Sequence, residues 1–466
     1  MPAAQPGGSC PSPAIMAQPG KARLGWAACL ALVGCSLLAY GQEASPVKVP
    51  EGKYTGAGGC AASSCHGSVQ PRKVTRIFQN EYTIWAGQDK HANAFTVLSN
   101  PVSMRMGKIL NIGKPDQAAK CLACHALNVA PDQRAKIFGL EDGVSCESCH
   151  GPSSGWLGPH TIANWPHEKS VALGMYDTRD LSKRSRKCAT CHVGSEEKFV
   201  DHEMIAAGHP DLTFELDYFT KSMPQHWKPP EDPWFAVKAW SVGEAVQLNA
   251  AFIRLAWRAS LPTWPDYGEL DCFACHHSLT MPSDSWRQME GYPGRRPGTP
   301  PWNASRYVVF RHVVEQVSPE EEKELRAHIM KLAELMGHPN GKGAEISSVA
   351  QRAADLSDKI AGQLNGQKYD QRFALQLMRS IAEDGDAISQ QGERSAEQAY
   401  MSLDSLFDAY RQNIRQSNDS EIQTAIAGLF QQFNNPSAYS APRFAAQMQK
   451  VQSVLAHGAS VTDASK

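Results

Sequence analysis

From Phe235 to Ser260, apolar residues recur near helical spacing. Trp240, Leu248, Phe252, Leu255 and Trp257 fall on one side, with Lys238, Glu244, Gln247 and Arg254 opposite. The spacing predicts one long helix packed against the core of the segment around it. After Ser318-Pro319-Glu320-Glu321, which reads as a helix start with a capping box, Leu325, Ile329, Leu332, Leu335 and Met336 supply an apolar face. Further helical runs are predicted over 344–363, 368–384, 394–415, 419–434 and 441–457. Arg372-Phe-Ala-Leu-Gln376 recurs as Arg443-Phe-Ala-Ala-Gln447, a weak hint of duplicated helical hairpins. Residues 305–460 thus read as a helical bundle, separated by a Pro/Gly linker at 291–304 from a segment, 50–290, with little regular periodicity. The expected fold class is mainly α.

One apolar run is of another kind. Leu24 to Leu38 follows Lys21 and Arg23, and Ala39-Tyr40-Gly41 offers a small-residue cleavage site. Residues 1–41 read as an export signal, too short to span a bilayer comfortably. Leu32-Val33-Gly34-Cys35 also resembles a lipobox, which would leave Cys35 as a lipid-modified N-terminus. Either route predicts a periplasmic or otherwise exported protein.

Composition narrows the function. The 466 residues carry 46 Lys+Arg against 47 Asp+Glu, a net charge of −1, which argues against a nucleic-acid partner. The 42% of apolar residues is slightly low, yet 13 cysteines stand beside 16 histidines. A disulfide framework of that size belongs to much smaller secreted domains.

Cys10, Cys29 and Cys35 lie in the leader, and the rest fall into sets. Four have the form Cys-x-x-Cys-His: Cys121, Cys124 and His125; Cys146, Cys149 and His150; Cys188, Cys191 and His192; Cys272, Cys275 and His276. This is the attachment signature of c-type haem, in which two thiols reach the two vinyl groups and the adjacent histidine turns under the ring to ligate iron. A zinc site has no need of a histidine after every second cysteine, and a thioredoxin-like motif would occur once. Cys60, Cys65 and His66 form a fifth set with the longer spacer Ala61-Ala62-Ser63-Ser64, read as a bulged haem site; a disulfide or a singly attached haem is the alternative. The expected cofactor is therefore haem c, five per chain, with porphyrin supplying much of the core volume of 50–290.

The remaining histidines supply candidates for the far side of each iron, since paired imidazoles favour electron transfer and an open position favours substrate chemistry. His209, between Gly208 and Pro210, stands first for the fourth and fifth irons, followed by His226 and then His202, which lies seven residues before His209 on roughly the same helical face. His277 follows a proximal ligand directly and reads as a propionate partner.

Two segments carry a resemblance to a known family. Gly143-Val-Ser-Cys146-Glu-Ser-Cys149-His150-Gly-Pro152, with Gly158-Pro159-His160, resembles the third haem segment of the tetrahaem cytochrome c-554 family of nitrifying bacteria. Trp85 and Lys90-His91-Ala92-Asn93-Ala94 resemble its first. The likeness spans about residues 54–195. It implies crossed ligation, with His160 on the iron of His66 and His91 on the iron of His150, and it leaves the iron of His125 open. The chain departs from the family in its longer first spacer, in its fifth motif and in the stretch around Asp201–Tyr218, which resembles larger multihaem cytochromes.

The expectation is a periplasmic carrier passing electrons between a redox protein donor and acceptor, with peripheral membrane association compatible. The alternative is a multihaem oxidoreductase acting on a small nitrogen compound at an open iron. Gly-rich phosphate loops, a flavin fingerprint and a Ser–His–Asp order are all missing from the sequence.

Overall fold

The computed structural model describes residues 52–457, apart from 74, 76, 273, 274, 277–301 and 435–438. The leader with its lipobox, His277 and nearly all of the Pro/Gly linker lie outside the described residues. Within them the chain is mainly α, with no strand; isolated bridges join Tyr54 to Arg134 and Leu270 to Trp302.

The first half is built of short helices. They are α1 (Glu81–Gln88), α2 (Pro101–Ile109), α3 (Ala119–His125), α4 (Cys146–His150), α5 (His167–Ala172), α6 (Leu181–His192), α7 (His202–Ala207) and α8 (Leu216–Ser222). Three of them, α3, α4 and α6, end on the histidine of a Cys-x-x-Cys-His set. One helical turn brings both cysteines and the histidine round to neighbouring positions, so a single turn presents the whole motif. Before Leu181 the apolar core is sparse: one small cluster of Leu98, Leu122 and Ala126. A segment of that length cannot hold itself together on so little buried hydrocarbon, which is consistent with a large apolar group completing it.

From Leu181 a single apolar core runs on to Leu455. It begins in α6 and α8, continues through α9 (Phe235–Ser260), α10 (Ser305–Val308) and α11 (Phe310–Val317), and fills the bundle of α12 (Pro319–Met336), α13 (Gly343–Gly366), α14 (Gln371–Glu383), α15 (Gly385–Gln390), α16 (Glu393–Asn413), α17 (Asp419–Phe430) and α18 (Ala441–His457). The predicted helical runs correspond to α13, α14, α16, α17 and α18, and α15 is additional. The recurring segments fall on α14 and α18, which pack against each other.

Two local expectations differ from what forms. The face of α9 expected opposite the apolar stripe is buried too: Glu244 and Gln247 are fully enclosed. The helix packs against α6 and α8 as well as α13 and α16, so α9 is the element shared by the haem-motif segment and the bundle. At the start of α12, Ser318 makes no capping bond. Its hydroxyl donates to Gln363 on α13, and Glu321 accepts from the same residue, so tertiary partners replace the capping box.

No helix among the described residues is long and apolar enough to cross a membrane.

Candidate haem-binding site

None of the ten motif cysteines, Cys60 and Cys65 included, is in a disulfide. The four-residue spacer of the first set folds as a tight bulge: Cys65 N–H donates to Ala62 O at 2.8 Å and His66 N–H to Cys60 O at 3.2 Å, which brings the two cysteines and the histidine together. Thiols of different sets also meet. Cys60 neighbours Cys146, and Cys124 neighbours Cys191, each close enough to shift the other's pKa. No three His, Cys, Asp or Glu side chains among the described residues converge on one metal position.

The histidines pair instead. His66 and His160 have ring centroids 6.2 Å apart with planes 7° from parallel. His91 and His192 are 6.0 Å apart at 89°, His125 and His209 6.3 Å apart at 89°, and His202 and His276 6.4 Å apart at 30°. Two metal–imidazole bonds of about 2 Å, with roughly 1 Å from each nitrogen to its ring centre, separate two centroids by about 6 Å. Each pair joins one motif histidine to one histidine from outside the motifs.

The hydrogen bonds of the rings agree with this. In an iron-bound imidazole the second nitrogen is held by an acceptor, which fixes tautomer and orientation. His66 Nδ1 bonds to Glu81 at 2.9 Å and His91 Nδ1 to Asp89 at 3.0 Å. His125 Nδ1 meets Ala94 O at 2.8 Å, His160 Nδ1 meets Leu157 O at 2.6 Å, and His209 Nδ1 meets Pro210 O at 2.7 Å. In all five, Nε2 remains available. His167 is the opposite case: its Nε2 is occupied by Asp177 at 2.8 Å.

The remaining motif histidine, His150, is half-buried, and its pKa is pushed down to about 4 by desolvation and then by the nearby His226, His66 and His167. Burial, with His91 alongside, takes His192 to about 4 as well. The neutral imidazole is the form that binds a metal. His226, also lowered by burial, rests its Nδ1 3.4 Å from Pro224 O.

The pairing differs from the one the family resemblance implied at two points. His91 lies against His192, not His150. Its backbone is tied to the segment before Cys146, where Val144 N–H donates to His91 O at 3.1 Å. There Gly143 has φ 67°, and a Cβ on it would come within 2.9 Å of that same carbonyl. Asp89 then turns the ring towards α6. Secondly, His125 is faced by His209. The helix α7 stops at Ala207 because Gly208 adopts a left-handed φ of 114°. His202 and His209 therefore do not share a helical face: one opens the helix towards His276, and the other leaves its end towards His125.

Sequence reasoning missed Glu81 and Asp89. Asp89 carries a local signal, an acidic residue two positions before a histidine, and it caps the turn that bears His91. Glu81 is fifteen positions from His66 and carries none.

Residues 60–151 match the family model of cytochrome c554 and c-prime. That stretch is of the multihaem c-type cytochrome kind. Haem c, covalently bound, and electron transfer follow from the match. Neither a curated protein nor a solved structure matches the chain.

Proposed function

We propose that this is a periplasmic cytochrome holding five haems c and relaying electrons between a donor and an acceptor protein. The observation that carries the reading is the pairing of histidines. Four motif histidines, His66, His125, His192 and His276, each face one other histidine at the spacing of two imidazoles on one iron. For His150, the half-buried His226, close enough to lower its pKa, is the candidate partner. Cys60, Cys65, Cys121, Cys124, Cys146, Cys149, Cys188, Cys191, Cys272 and Cys275 would attach the porphyrins.

Bound haem supplies one-electron exchange with little change in geometry when both axial positions are filled. The chain's contribution is placement. With Cys60 neighbouring Cys146 and Cys124 neighbouring Cys191, the attachment edges of the first and third haems, and of the second and fourth, would lie close together. The helix α7, six residues long, spans the second and fifth. His209 opposite His125 weighs against the reading as an oxidoreductase with an open iron at that position.

A haemochrome assay on the exported protein, with mass spectrometry of the denatured chain, tests the proposal. Five haem increments and a fully low-spin spectrum are expected. Four increments, with Cys60 and Cys65 unmodified, would remove the bulged site.

A further inference from the structure

We propose that Glu81 and Asp89, at the two ends of α1, are tuning residues that each lower the reduction potential of one haem iron, Glu81 of the first and Asp89 of the fourth. The inference rests on the haem ligation proposed above and goes beyond it by naming what sets the potential at two of the sites.

The helix is eight residues long, roughly 12 Å. Glu81 opens it. Its Oε1 accepts the Phe78 and Gln79 backbone N–H groups at 2.9 and 3.1 Å, which aims Oε2 at His66 Nδ1. Asp89 closes it. Its Oδ1 accepts both the backbone N–H and the ring Nδ1 of His91, each at 3.0 Å, and the residue is 4% exposed. One short helix thus delivers an anionic acceptor to a ligand of the first iron and another to a ligand of the fourth.

The second iron is treated differently. Both of its histidines, His125 and His209, donate to backbone carbonyls, of Ala94 and Pro210. A carboxylate draws the Nδ1 proton more strongly than a neutral carbonyl and makes the imidazole a better donor to the metal. A more basic ligand, with a negative charge beside it, stabilises the oxidised iron and lowers its potential. Lys198 acts in the opposite sense near the fourth haem, with Nζ 3.8 Å from Cys191 Sγ, so the effect is to be read from variants rather than from absolute potentials.

Asp89→Asn is the cleanest variant, because the amide oxygen can keep both bonds to His91 while the charge is lost. Glu81→Gln is the companion. Redox titration of the intact five-haem protein, followed by optical and EPR spectra, reads the result. In each variant the midpoint of one haem is expected to rise while the spectrum stays low-spin, and the haem that moves differs between the two. Unchanged midpoints in a low-spin Asp89→Asn protein would overturn the proposal. Conversion of one haem to high-spin would also overturn it, by making Asp89 a prop that His91 needs in order to bind. Failure of the ligation reading is told apart by the unmodified protein, which would then show a haem count other than five or high-spin iron from the outset.

Discussion

His209 lies across from His125, ring centroids 6.3 Å apart and planes at 89°, although 84 positions separate the two residues along the chain. The reduced protein is therefore expected to bind no carbon monoxide at the haem of His125. His209→Ala should open that iron alone and add about one carbon monoxide for every five haems. Equal binding before and after the substitution would show that His209 does not close the site.

Plane angles give the haems separable signatures. Near-parallel imidazoles, as at His66 and His160, split the iron's two π-symmetry d orbitals and produce a rhombic low-spin EPR signal. Perpendicular ones, as at His91 with His192, leave the orbitals nearly degenerate and give a signal with one very large g value. His160→Ala should remove one rhombic signal and leave that of the His202–His276 pair, and His91→Ala should remove a large-g signal. Each should create one high-spin haem. Loss of the same signal in both variants would contradict the pairing.

The polar side of α9 contains a buried ion pair with structural work to do. Arg254 grips Glu269 with two bonds of 2.9 Å, Arg258 adds a third at 3.1 Å, and Arg254 also reaches the carbonyl of Val193, next to His192. Glu269 stands three residues before Cys272, so the pair links the fourth motif to the fifth. Arg254→Ala leaves the buried Glu269 carboxylate to Arg258 alone and should destabilise the fold by about 1.5–3 kcal/mol. Replacing both partners, Arg254→Met with Glu269→Gln, should cost less. Denaturant midpoints followed by helical signal compare the two.

Glu215 is fully buried and accepts bonds from Asp217 N–H, Tyr218 N–H and the Ser405 hydroxyl. Burial first, and then the neighbouring Asp217, push its pKa up from 4.5 to about 7. The folded chain therefore keeps a proton that the unfolded chain has released. Stability from this group is full below pH 4.5 and is lost as pH rises to about 7, each unit amounting to about 1.4 kcal/mol. Glu215→Gln should remove that slope, so its unfolding midpoint relative to the parent protein should climb between pH 4.5 and 7 and level off above. A difference that does not vary with pH would show that Glu215 is ionised throughout.

The amino-acid order alone shows the Cys-x-x-Cys-His motifs and the long helices of the second half. Cys-x-x-Cys-His is a contact within one helical turn, and α9, α13, α14 and α16 follow from apolar spacing, because both depend on residues a few positions apart. What lies opposite each motif histidine is another kind of question. His160 reaching His66 follows the family resemblance, but His91 turns to His192 because Asp89 and the close passage of Gly143 aim it there, and His209 reaches His125 because Gly208 ends α7 one residue earlier. The polar face of α9 likewise reads as a solvent face until Gln398 from α16 and Glu269 from the following loop come to meet it. Periodicity reports that a face is polar. Whether water or a buried partner satisfies that face depends on which distant segment packs there, and only the tertiary structure decides it.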